Sequence, residues 1–124
     1  FTGFLYGGRV LTKDGIKVIE FNARFGDQEA EVILPRLKSD FVDAILSVMD
    51  GQPVQLQWSP KTCHGVVLAS EGYPAGSTKG APIEIGDTDA SIFHMGTRST
   101  DQGLKTDGGR VLMVVTGGHP GAGI

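Results

Sequence analysis

The stretch Val18-Ile19-Glu20-Phe21-Asn22-Ala23-Arg24-Phe25-Gly26-Asp27 alternates apolar and polar residues from Ile19 to Arg24, the signature of a β-strand. Every second side chain on a strand shares a face. Glu20, Asn22 and, if the strand runs far enough, Arg24 therefore form a row, while Ile19 and Phe21 point the other way into apolar packing. A carboxylate, an amide oxygen and a guanidinium in line suit a hard cation carrying a nucleotide's phosphates. Magnesium takes oxygen ligands and typically uses one or two protein groups, completed by phosphates and water. A nearby arginine neutralises charge on a transferring phosphoryl group. The same alternation is also the ordinary pattern of a half-buried strand with a solvated polar face, and the pattern by itself does not separate the two.

Composition sets the outer bounds. The chain has 124 residues, 40% hydrophobic and 20% charged, which suits one modest globular domain or pieces of two. It opens on Phe1 rather than Met and is read as a piece of a longer polypeptide. Its net charge of −3, with no basic block, offers no footprint for nucleic acid. No apolar run approaches the roughly 20 residues of a membrane helix, and no segment resembles a signal peptide. The single cysteine, Cys63, has no partner for an internal disulfide and fits a reducing compartment. Cys63 and His64 resemble a nucleophile and base, but adjacent strand residues point to opposite faces and would not meet. Cysteines and histidines show no zinc spacing. Glycine, at 19 residues, is about twice its usual share of roughly 7%. The glycines lie singly and in pairs between apolar runs, which indicates tight turns and close backbone approaches.

Along the chain, Phe4 to Asn22 reads as a hairpin. With Asp14-Gly15 as a two-residue type I′ loop, Lys13 pairs with Ile16 and Arg9 faces Glu20. Asp27 suits a helix N-cap before Ala30, Val32, Ile33 and Leu34, and Pro35 interrupts that helix. Ser39-Asp40 opens a clearer helix, with Phe41, Val42, Ile45, Leu46 and Met49 at helical spacing and Asp50-Gly51 at its end. From Val54 the chain reads as short strands and turns: His64 to Ser70 as the most buried, then Pro82 to Ile85, Ala90 to His94 and Arg110 to Thr116. Gly76-Ser77-Thr78-Lys79-Gly80 lacks the spacing of a phosphate-binding P-loop and reads as an exposed turn. The run Gly-Gly-Arg-Val-Leu occurs at 7–11 and again at 108–112, each time placing an arginine at a strand start.

Leu5-Tyr6, Lys17 to Asp27 and Leu34-Pro35-Arg36-Leu37-Lys38-Ser39-Asp40 together resemble the phosphoribosylamine–glycine ligase (glycinamide ribonucleotide synthetase) family of the ATP-grasp superfamily. Val67 to Pro74, Phe93-His94-Met95-Gly96-Thr97 and Gly108 to Leu112 resemble that family's C-terminal domain, in order. The resemblance reaches to about Val115. Glu-x-Asn alone belongs to many ATP-grasp enzymes; the longer Glu-Phe-Asn-x-Arg-Phe-Gly-Asp and Ser-Glu-Gly-Tyr-Pro runs are narrower.

The resemblance implies an α+β chain, with the end of an ATP-grasp domain over 1–52 and a small β-rich domain over 53–124. It implies a cytoplasmic enzyme of de novo purine synthesis that joins phosphoribosylamine to glycine, using ATP and Mg2+ or Mn2+, through a glycyl phosphate. Glu20 and Asn22 align with the family's metal and nucleotide ligands. Arg24 is the candidate catalytic cation, with a salt bridge to Asp27 or Glu29 as its alternative. Asp27 and Arg110 are candidate substrate contacts, with a helix cap and a surface arginine as the plainer roles. The family usually has Pro at Gln28, Ala at Gly7, an apolar residue at Arg9 and Ala at Met95. Its substrate domain, lid and most adenine contacts lie upstream of the region matched here, so this chain alone is expected to be inactive. Superfamily members often supply a further acidic ligand about a dozen residues before Glu-x-Asn; here that region reads Tyr6-Gly7-Gly8. The rival readings are another ATP-grasp carboxylate ligase and a non-catalytic β-rich interaction module. The glycine-rich tail from Thr116 is expected to be loose or truncated.

Overall fold

The computed structural model describes residues 1–117, so the expectation for the tail falls from residue 118 onward outside the described residues. The described residues form two units, one over Phe1–Pro60 and one over 61–117. Residues 54–59, grouped by composition with the later strands, belong to the first. Lys38 donates to the Gln57 carbonyl (2.9 Å), Ser59 donates to that of Arg36 (2.7 Å), and Leu37 bridges Trp58.

The first unit opens with an antiparallel hairpin of β1 (Tyr6–Thr12) and β2 (Gly15–Asn22). The turn differs from the expected one. Its two loop residues are Lys13 and Asp14, and Thr12 pairs with Gly15. A type I′ turn needs positive φ at both central residues. Among the described residues none but glycine has positive φ, and Gly15, at +98°, takes that conformation just after the loop. The Thr12 hydroxyl locks the turn, donating to the Gly15 carbonyl (2.8 Å) and accepting from the Asp14 N–H (3.2 Å). Arg9 consequently opposes Val18, not Glu20. The register then shifts between Gly8 and Arg9, leaving Ile19 as the extra residue of a β-bulge and setting Gly8 opposite Glu20 and Tyr6 opposite Asn22. Ile19 and Phe21, expected in apolar packing, are 69% and 66% exposed, because no other described strand joins this two-stranded sheet.

Helix α1 (Asp27–Ile33) gives way to a 3-10 turn, Leu34–Arg36, that contains Pro35. Its N-cap is Gly26 rather than Asp27, which is the first helical residue. Helix α2 (Phe41–Met49) follows its expected limits. The Asp40 carboxylate accepts from the N–H groups of Val42 (2.8 Å) and Asp43 (3.0 Å), and Gly51 follows the helix at φ +65°. Phe4, Phe25 and Phe41 stack with ring centroids 4.2–6.1 Å apart. They line an apolar cavity of about 340 Å³ with Leu37, Ile45 and Trp58.

The second unit holds a three-stranded antiparallel sheet in the order β3 (Cys63–Ala69), β7 (Arg110–Gly117), β4 (Ser91–His94), and a hairpin of β5 (Thr97–Thr100) and β6 (Gly103–Thr106). The buried strand is β7, not the segment from His64 to Ser70. Val111, Leu112, Met113 and Val115 are at most 5% exposed, whereas β3 is an edge strand with Val66 62% exposed. A continuous apolar run suits a strand covered on both faces. The expected strand at Pro82 to Ile85 is only an isolated bridge, Pro82 to Lys105, since proline has no N–H for the ladder. The β5–β6 turn repeats the first hairpin: the Thr100 hydroxyl donates to the Gly103 carbonyl and accepts from Gln102, with Gly103 at φ +99°.

Three motif segments meet in this unit. Ser70 donates through its N–H to the Gly109 carbonyl (2.8 Å) and through its hydroxyl to that of Gly108 (2.6 Å). The Tyr73 ring lies on Gly109, and Gly96 packs on Gly108 and the Arg110 carbonyl. A Cβ on Gly96 would fall 2.5 Å from that carbonyl oxygen. Gly96→Ala is therefore expected to destabilise the protein by about 1–3 kcal/mol, as overpacked sites do. Gly86, whose added Cβ would meet nothing within 4 Å, should accept Ala with a change of no more than about 1 kcal/mol. Differential scanning calorimetry of the two variants checks the contrast.

Candidate functional site

Cross-strand partners share a face of the sheet. The register places Tyr6 and Gly8 of β1 on the face that carries Asn22 and Glu20 of β2. At the end of β2 the Asn22 amide donates through Nδ2 to Glu20 Oε1 (3.0 Å). This bond turns the amide nitrogen toward the carboxylate and leaves the amide oxygen and the second carboxylate oxygen as acceptors. Glu20 is exposed and Asn22 half-buried. The row expected from the sequence thus brings Glu20 and Asn22 together at its end.

Arg24 does not extend it. The strand ends at Asn22, and Arg24 sits in the following bend, where Nη1 donates to the Phe25 carbonyl (2.5 Å). Asp27 opens α1 and, with Glu29, puts acidic groups in its first turn, where the helix dipole favours them. Arg110 belongs to the second unit, where it begins β7 opposite Ala69. Among the described residues, no three His, Cys, Asp or Glu side chains cluster as a metal site; the donors that meet at the end of β2 are the Glu20 carboxylate and the Asn22 amide. Such hard oxygen donors fit Mg2+ or Mn2+ with phosphates completing the shell.

Tyr6 had no assigned role in the sequence, and Glu29 was named only as an alternative partner for Arg24. The Tyr6 hydroxyl donates to Glu29 Oε1 (3.1 Å), tying β1 to α1. Glu29 stands at N3, the position from which a capping-box carboxylate folds back over the N-cap. It does so here: a Cβ on Gly26 would collide with its carboxylate. Gly8 makes room on the strand. A Cβ there would lie 3.3 Å from Glu20 Cγ and 3.4 Å from the Tyr6 hydroxyl, so both side chains converge over a bare backbone. The signal was available in the three-residue step from Gly26 to Glu29, but which strand that carboxylate would meet depends on the tertiary fold.

Partial removal from water raises the Tyr6 phenol above 10.0, and the bond to Glu29 and the negative charges of Glu29 and Glu20 push it the same way. A group whose folded pKa is raised adds stability below its unfolded pKa and loses it as pH climbs through the folded value. The stability of the wild-type protein should therefore fall above about pH 10, and Tyr6→Phe should lack that part of the alkaline decline. Urea unfolding at stepped alkaline pH measures it.

Comparisons with known proteins bear on the family and the fold. The profile described as "Phosphoribosylglycinamide synthetase, ATP-grasp (A) domain" matches residues 1–30, and "Phosphoribosylglycinamide synthetase, C domain" matches 63–120. A protein of Halalkalibacterium halodurans named phosphoribosylamine–glycine ligase is 53% identical over 117 residues, covering 92% of this chain and 27% of the relative. One of the same name from Lactococcus lactis is 43% identical, covering 92% and 28%. The crystal structure of phosphoribosylamine–glycine ligase from Thermotoga maritima superposes with a TM-score of 0.78 at 35% identity, over 92% of this chain and 29% of that one. The chain thus spans under a third of the length of these relatives, and its α+β architecture is that of an ATP-grasp end followed by a small β-rich domain. With both domain profiles of one synthetase matched in order and the same fold in a solved relative, the chain belongs to the phosphoribosylglycinamide synthetase family.

Proposed function

We propose that this chain is part of an ATP-dependent carbon–nitrogen ligase that joins phosphoribosylamine to glycine, giving glycinamide ribonucleotide, ADP and phosphate. The observation that carries it is the Glu20–Asn22 pair at the end of β2, inside the segment matched by the ATP-grasp profile. In this reading the glycine carboxylate attacks the γ-phosphorus of ATP and ADP leaves. The amine of phosphoribosylamine then attacks the carbonyl carbon of glycyl phosphate, phosphate leaves, and the amine gives up a proton.

Glu20 and Asn22 hold a divalent cation, Mg2+ or Mn2+. When bound, it neutralises phosphate charge and orients the nucleotide. Glu20 accepts the Asn22 N–H, which leaves the amide oxygen as the acceptor for the cation. Arg24 lies in an exposed bend, and its guanidinium has further N–H groups for phosphoryl charge beyond the bond to Phe25. Asp27 is assigned to the glycine ammonium and Arg110 to a substrate phosphate; each is tested by the KM of its own substrate. The units over 1–60 and 61–117 serve as the ATP-grasp end and the C domain. We assign the enzyme to the cytoplasm; among the described residues no helix is long and apolar enough to cross a membrane. The exposed Ile19 and Phe21 face is where the rest of a full-length ligase packs.

The test is ADP release by the full-length protein, with and without each substrate. Release that requires both glycine and phosphoribosylamine, and that falls by roughly 10²-fold or more in Glu20→Ala, is the expected result. Release with bicarbonate or another carboxylate instead would keep the ATP-grasp assignment and reject the substrate. No turnover by a folded full-length protein would reject the ligase.

A further inference from the structure

Tyr6 occupies the strand position opposite Asn22. Its hydroxyl reaches the Glu29 carboxylate (3.1 Å). The hydroxyl also lies beside the stem of Glu20, since both crowd the same point above Gly8. The fold thus brings a second carboxylate near the Glu20–Asn22 pair from a different element, and it arrives held by Tyr6 at one oxygen. The other oxygen is folded over Gly26.

We propose that Tyr6 is a positioning residue for the cation site. By holding Glu29 against β1, it keeps that carboxylate from competing for the Asn22 amide and from displacing Glu20. The proposal rests on the reading of Glu20 and Asn22 as cation ligands. Its physical basis is the small number of protein donors. A site with one carboxylate and one amide depends on the amide presenting its oxygen, and Asn22 does so while its nitrogen is engaged by Glu20. A loose carboxylate within reach of that nitrogen would turn the amide away. Groups that orient ligands in this manner are worth about 10–100-fold in metal affinity.

The experiment is Mn2+ binding to the full-length protein in the presence of ADP, read as loss of the free-ion electron paramagnetic resonance signal. Thermal melting of each variant runs alongside. Tyr6→Phe keeps the ring and removes the hydroxyl, and it should weaken Mn2+ binding about tenfold. Glu29→Gln keeps an oxygen acceptor for Tyr6 and should stay within about twofold of wild type. Should Tyr6→Phe fail to fold, Glu29→Ala removes the restrained carboxylate itself, so Mn2+ binding should stay within about twofold of wild type, and a tenfold loss would overturn the proposal. Tyr6→Phe binding like wild type would overturn the proposal. So would Glu29→Gln weakening as much as Tyr6→Phe, because charge rather than placement would then be at work. Wild type that binds no Mn2+ with ADP rejects the cation site itself. Wild type that binds, Glu20→Ala that does not, and Tyr6→Phe unchanged reject only the role of Tyr6.

Discussion

The register of the β1–β2 hairpin is the constraint on which the candidate site depends. Side chains alternate along a strand, so a slip of one residue would carry Glu20 and Asn22 to the opposite face. Counted from the turn, where Thr12 pairs with Gly15, an unbroken ladder would set Gly8 opposite Ile19. The bulge inserts one residue and sets Gly8 opposite Glu20 instead. The position that receives Glu20 is thereby a glycine, and the absent side chain is what lets Tyr6 and Glu20 converge. Turn, bulge and glycine act as a single device, and the carboxylate's placement follows from all three.

The second unit solves a different problem by similar means. Its central strand, β7, is apolar on both faces and pairs on both edges. Entry into that strand passes through Gly108 and Gly109, which carry Tyr73 and Gly96 in close contact. Ser70 answers the two glycine carbonyls, so backbone groups crowded out of a regular ladder still find partners. The motifs around Ser70, His94 and Gly108 therefore have a packing reason to recur together. The hydroxyl of Thr97 stands 3.0 Å from His94 Nδ1, tying down the turn that brings Gly96 to Gly108.

Local chemistry was the legible part of the sequence. The cap at Asp40, the stop at Pro35, helix α2 and the strands after Ala90 and Arg110 all follow from side chains acting on their own backbone. Glu20 and Asn22 were legible for the same reason, being two residues apart on one strand. The row stops short of Arg24 because alternation continues past Asn22 while the strand does not. The hairpin register was misread because Asp-Gly suggested a mirror-image turn, whereas Thr12 bonds to both sides of the loop and favours the turn that Gly15 completes. The second example, Thr100 to Gly103, shows that Thr-x-x-Gly was the better signal in this chain. Burial of β3 was overestimated because apolar content cannot distinguish an edge strand from a central one. Tyr6 and Glu29, 23 residues apart, meet only through the fold.

Helix α2 shows how far the first unit departs from a self-sufficient domain. Phe41, Ala44, Ile45 and Val48 line the apolar cavity, which accounts for one face. Val42, Leu46 and Met49 form a second apolar stripe and are 50–69% exposed. A surface helix needs only one such stripe; apolar residues on two sides belong to a helix covered on both. The hairpin repeats the pattern, with Leu11, Ile16, Ile19 and Phe21 all more than 60% exposed on a sheet of two strands. Two-stranded sheets are marginal unless something packs on them, and full burial of such side chains is worth about 1.5–3 kcal/mol each. Within the unit, the Tyr6–Glu29 bond links this hairpin to α1, and the contact of Phe4 with Phe25 and Phe41 links the chain ahead of it to α2. The candidate site is therefore held by a few polar and aromatic ties on an element whose apolar face asks for cover, and its geometry is as sensitive to that cover as to the site residues themselves.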